Sequence, residues 1–148
     1  MYQHILIATD GSEMSMRALA HGLALAKSVG AKVTALTVTE PWGVGDMVTR
    51  AELGDKHPVG DYEAEAEARA MRILDAVRER AGAVGVPCQL VHEPDSRPSD
   101  AILRIGLAHG CDLIVLSTHA REGLARIVMG SQAAEVVAQA KVPVLVCR

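Results

Sequence analysis

The residues best equipped for chemistry fall in two short stretches. One is Thr9-Asp10-Gly11-Ser12, directly after the apolar run from His4 to Ala8. The other is the connection from Ser117 to Ser131, which follows Leu113-Ile114-Val115-Leu116 and holds His119, Ala120, Arg121, Arg126 and Gly130. The chemistry these residue types suit is the binding of an anion. Beyond Ser131, residues Gln132 to Ala140 read as a helix, and a helix start presents unpaired backbone N–H groups and the positive end of a dipole. A phosphate is the natural guest of such a start. Gly130 has no side chain to keep a ligand off the backbone, and Ser131 is a good N-cap. The first turn, Gln132-Ala133-Ala134, has no acid before Glu135, whereas the other expected helix starts carry Glu13, Asp61 and Glu63, or Asp100. An external anion would complement this bare start. Equally, Ser131 alone caps the helix and the connection is merely solvated; the local residues leave both readings open. Asp10 stands at the carboxyl end of the first strand, where open α/β sheets bind ligands, and it is also a residue type that makes Asx turns.

The elements that position these residues alternate in type. His4 to Thr9 is a short continuous apolar run of the kind buried on both faces of a parallel sheet. Ser12 to Val29 reads as a helix, with Leu19, Gly22, Leu23, Ala26 and Val29 on one face and Gly30 as its stop. Lys32 to Val38 is the second strand. Glu40 to Gly60, with two prolines and four glycines mixed among acids, has no clear period and reads as a long loop with Trp42 packing it down. Asp61 to Ala81 is a second helix, capped by Asp61, with its charged face carrying (i, i+4) partners such as Glu65 and Arg69. Cys88 to His92, a helix from Ser99 to His109 whose Ile102, Leu103, Ile105, Gly106 and Leu107 read mostly as core, the strand Asp112 to Ser117, and a final strand from Pro143 to Arg148 complete the order. The pattern βαβαβαβαβ predicts a single α/β domain over 1–148: a five-stranded parallel open sheet with helices on both faces, flavodoxin-like, in three layers. Its switch point lies beside the first strand and brings Asp10 and the Ser117–Ser131 connection into one crevice. The last strand is apolar and expected at an edge, where a second copy would cover it.

Composition removes several function classes. The chain has 148 residues with a net charge of −3, so it offers no basic field for nucleic acid. It has one Trp, two Tyr and no Phe, which also argues against base-stacking platforms. The three cysteines stand far apart without a CxxC pair, so neither a disulfide framework nor a zinc cluster is expected. No leader pattern and no apolar run near membrane-spanning length occurs, which gives the expectation of a soluble cytoplasmic protein without membrane contacts.

In Ile5-Leu6-Ile7-Ala8-Thr9-Asp10-Gly11-Ser12, Asp112-Leu113-Ile114-Val115, Gly130-Ser131 and Val142-Pro143-Val144-Leu145-Val146, the chain resembles the universal stress protein family along its whole length. The resemblance implies the adenine nucleotide alpha hydrolase-like fold and a homodimer through the last strand, residues 143–148. Members that bind ATP resemble Gly-x2-Gly-x9-Gly-Ser/Thr in the connection after the fourth strand. Here Gly130 and Ser131 match, whereas Ser117 and Ala120 stand where that pattern has glycine. A Cβ at a position needing positive φ costs about 1–2 kcal/mol, and 1.4 kcal/mol is about tenfold in affinity. By the same resemblance, the backbone at Val38 reads adenine and Thr9 and Asp10 face the ribose or a metal–phosphate region. Ser117, His119, Ala120 and Arg121 line the connection, and Gly130, Ser131 and Gln132 take the phosphates of ATP or AMP, with Mg²⁺ accompanying the nucleotide. The function implied is a nucleotide-binding regulator or sensor in stress response. The alternative is a member that uses no nucleotide and acts as a protein-interaction module. An enzyme is disfavoured beyond a weak ATPase, because no Gly-x4-Gly-Lys-Ser/Thr loop is present and no lysine stands in the connection.

Overall fold

A computed structural model describes residues 1–118 and 129–148. The element order is β1 (His4–Ala8), α1 (Glu13–Val29), β2 (Lys32–Thr39), α2 (Val44–Glu52), α3 (Pro58–Val84), β3 (Cys88–Pro94), α4 (Pro98–Ala108), β4 (Leu113–Ser117), α5 (Ser131–Gln139) and β5 (Val144–Cys147). All strand pairs are parallel, and the sheet runs β3-β2-β1-β4-β5. The expected α/β architecture is therefore the observed one, with β1 and β4 adjacent at the switch point and β5 at an edge.

Strand alternation divides the core in two. Ile5, Ile7, Val33, Ala35, Leu113 and Val115 point to one face, where they meet Leu19, Leu23 and Ala26 of α1 and Val77 and Ala81 of α3. Leu6, Leu36, Ile114 and Leu116 point to the other, against Ile102 and Ile105 of α4 and Ala133 and Val136 of α5. This is why β1 reads as an unbroken apolar run: neither face of it sees water. No aromatic ring is fully buried, and Tyr2 only packs against one layer, so the layers close chiefly on Ala, Val, Leu and Ile.

Four expectations need correction. Residues 44–52, read as loop, form α2, which buries only Met47 and so shows little apolar periodicity. α3 begins at Pro58 rather than Asp61, because Pro at the first helical position fixes φ and lacks only an N–H that would be unpaired anyway; Asp61 sits in its first turn. Leu107, read as core, is 75% exposed on α4. Glu65 pairs with Arg50 of α2 at 2.9 Å rather than with Arg69, joining α2 to α3.

Candidate functional site

The turn after β1 is set by its own side chains. The Asp10 carboxylate accepts the Ser12 N–H at 2.9 Å, an Asx turn. Gly11 takes φ +80° there, a backbone region that any Cβ strains. Ser12 then caps α1 by accepting the Ser15 N–H at 3.2 Å. Thr9 is buried in this turn and its hydroxyl is fully used. It accepts the Gly11 N–H at 3.2 Å, and the Ser15 hydroxyl, which donates to the Ser12 carbonyl, lies 2.9 Å away. Thr9 is thus a fixture of the turn, and it holds Asp10 at the end of β1.

β2 runs on past the end of β1. The Leu36 carbonyl accepts the Thr9 N–H at 2.9 Å, the last such bond between the two strands. Two residues on, alternation aims the backbone N–H and carbonyl of Val38 the same way, beyond the last residue of β1. Val38 and Leu36 line a cavity of about 170 Å³ together with Thr9, Asp10, Ile102, Ser117, Gln132 and Val136. The cavity lies at the carboxyl ends of β1 and β4, where α4 and α5 meet the switch point. One wall is apolar, and the polar groups gather at the side of Asp10, Ser117 and Gln132. Its volume is below the roughly 300–1,000 Å³ of a whole small-molecule pocket, so the described walls hold only the inner part of such a ligand.

The start of α5 differs in detail from the expectation. Gly130 occupies the N-cap position, with φ −57° and ψ 153°, and makes no side-chain cap bond. Ser131 is the first helical residue instead, exposed and free of the capping role assigned to it. No acid stands in the first turn of α5, whereas α1, α2, α3 and α4 each carry one. Gln132 reaches across to α4, where its carbonyl accepts the Ser99 N–H at 2.9 Å. That bond fixes the side-chain amide so that its NH₂ is the end left for the cavity. Glu135, one turn on, accepts the Ser99 hydroxyl and the Arg97 guanidinium at 3.2 Å. These two partners, the hydroxyl first, hold the Glu135 carboxyl below the usual glutamate value of 4.5. Sequence reasoning missed this α4–α5 lock, whose partners lie more than thirty residues apart.

The structure thus brings Thr9, Asp10, Val38, Ser117 and Gln132 to one cavity, with Gly130 and Ser131 adjoining Gln132 in the chain. His119, Ala120, Arg121 and Arg126 lie outside the described residues. Thr118, 3% exposed, has a hydroxyl without a hydrogen-bond partner among the described residues. Among the described residues no group of three or more His, Cys, Asp or Glu side chains converges as a metal site.

A model of the universal stress protein family matches residues 1–148. The chain belongs to the universal stress protein family. It is 34% identical to the universal stress protein in the QAH/OAS sulfhydrylase 3′ region of Thermus aquaticus, over the full length of both. Solved universal stress proteins share the fold. One, crystallised in complex with cAMP, aligns with a TM-score of 0.71 at 24% identity and covers 98% of this chain and 95% of its own. Another, from Archaeoglobus fulgidus in complex with dAMP, aligns with a TM-score of 0.65 at 19% identity, covering 99% and 98%.

Proposed function

We propose that this universal stress protein binds an adenine nucleotide, ATP or AMP, and acts as a homodimeric regulator or sensor in the cytoplasm rather than as an enzyme. The observation that carries the reading is the switch-point cavity. It has an apolar wall for a base, a strand edge at Val38 with free backbone direction, and polar groups on the side of the acid-free start of α5. Universal stress proteins of the same fold hold cAMP and dAMP, which supports an adenine ligand. In this reading the Val38 backbone meets the adenine edge and the side chains of Leu36, Ile102 and Val136 its faces. Asp10 and Ser117 face the ribose. The exposed Ser131 hydroxyl, the Gln132 NH₂ and the backbone N–H groups of Ser131 and Gln132 take phosphate oxygens, helped by the helix dipole.

Mg²⁺ fits as a companion of a triphosphate, since it commonly binds through one or two carboxylates plus substrate phosphates. Asp10 is the carboxylate on this cavity and would hold it. The three cysteines are free thiols, which suits a reducing compartment.

The test is chemical. Protein purified from cells is denatured by heat and the released small molecules are weighed by mass spectrometry. An adenine nucleotide near stoichiometric amount is the expected result. Its absence, with no calorimetric heat at millimolar ATP, would instead favour a protein-interaction module.

A further inference from the structure

A second cavity, of about 430 Å³, opens at the carboxyl ends of β2 and β3. It is walled by α3 rather than by α4 and α5, so it lies on the opposite face of the sheet from the first. Trp42 and Tyr62 form its aromatic wall, and Glu40, Glu63, Glu67 and His92 stand around them. We propose that this cavity binds a small organic ammonium cation, held against Trp42 and Tyr62 and surrounded by Glu40, Glu63 and Glu67.

The chain has one Trp, two Tyr and no Phe, and of these only Tyr2 packs, half-buried, against the core. Two of those three rings nevertheless stand together on one cavity, and Trp42 is 39% exposed there rather than packed away. An exposed aromatic face with acidic neighbours attracts a cation through its quadrupole. Tyr62 is held for that role: its hydroxyl donates to the Glu40 carbonyl at 2.9 Å. Its ring already carries one cation, the Arg50 guanidinium, 5.4 Å from the centroid. The charge of Arg50 is met elsewhere, by Glu65 at 2.9 Å and Asp55 at 3.9 Å. No lysine or arginine among the described residues lines the cavity. Among the described residues Glu40, Glu63 and Glu67 have no ion-pair partner, and Glu63 and Glu67, one helical turn apart, repel each other. A positive guest relieves that repulsion. Because no three of these acids converge tightly enough to hold a metal ion, the arrangement suits a large, diffuse cation.

The experiment titrates the full chain with choline chloride, by calorimetry and by Trp42 emission. Sodium chloride at equal ionic strength and 3,3-dimethyl-1-butanol, the neutral isostere, serve as controls. Choline is expected to bind saturably and shift the emission, while both controls do neither. Trp42→Leu, read by calorimetry, should weaken choline roughly 3- to 30-fold. Glu63→Gln combined with Glu67→Gln should weaken it about three- to tenfold. Both glutamates are exposed on a helix, so circular dichroism should show the double variant folded. Choline indistinguishable from sodium chloride, equal binding of the neutral isostere, or unchanged affinity in the folded double variant would overturn the proposal. A matching emission change with MgCl₂ alone would overturn it too. None of these outcomes bears on the nucleotide reading, because the two cavities share no lining residue.

Discussion

At the scale of the residue, the β1 turn shows how little freedom the site has. A Cβ added to Gly11 would stand 2.8 Å from Ile73 Cγ1, on a backbone already at φ +80°. Strain of about 1–2 kcal/mol and overpacking of about 1–3 kcal/mol act together there. Gly11→Ala should therefore lower the stability measured by urea unfolding by at least about 1 kcal/mol and loosen the hold on Asp10. Ser131 makes the opposite case. As an N-cap it would be worth about 1 kcal/mol of stability, but it is the first helical residue and Gly130 is the cap. Ser131→Ala should leave the unfolding free energy from urea titration within about 0.5 kcal/mol of wild type. A clear loss of stability would restore the capping role that the sequence suggests.

At the scale of the element, α5 is placed by α4. Ser99 is fully buried, and Gln132 and Glu135 satisfy its N–H and its hydroxyl. Gln132→Ala orphans the buried Ser99 N–H and should cost about 1–3 kcal/mol in urea unfolding. The Glu135 link adds a pH dependence with a definite sign. Its folded pKa lies below the ordinary 4.5. The contribution is therefore complete above that value and is lost as pH falls through the lowered one. Thermal melts from pH 7 down to pH 3 should show that acid loss reduced in Glu135→Gln, and equal slopes would contradict the link. Much of this architecture was legible from one strand at a time. β1 and β4 are unbroken apolar runs because both their faces are covered, and α1 shows its buried stripe because a single layer covers it. α2 was not legible: Gly43 and Gly45 punctuate it, and the Val44, Met47 and Val48 spacing that marks it spans barely one turn. The site was legible as a place, through Asp10 after β1 and the acid-free start of α5. The locks between elements were not, since Ser99 with Gln132, beside the site, and Arg50 with Glu65, between α2 and α3, are bonds between distant stretches that no local pattern encodes.

At the scale of the molecule, the sheet ends on β5, an apolar strand with an unpaired edge. Leu145 there is 38% exposed, and Val144 and Val146 are only partly covered. Such edges invite pairing with another chain, and a two-fold contact between copies closes the pairing without propagating it. The chain is expected to sediment as a dimer at micromolar concentration. Leu145→Lys, which places a charge on that edge, should shift it to monomer. A wild-type monomer would remove the dimer from the account and leave the nucleotide cavity untouched, because that cavity lies between β1, β2, β4, α4 and α5 of one chain. The nucleotide reading depends on that cavity continuing into the bare start of α5. Calorimetric titration of ATP into the wild-type protein and into Ser131→Ala tests this most directly. The account predicts a saturable wild-type isotherm and a loss of roughly tenfold or more in the variant, as for a hydrogen bond to a charged group. No binding, or identical isotherms for the two proteins, would contradict it.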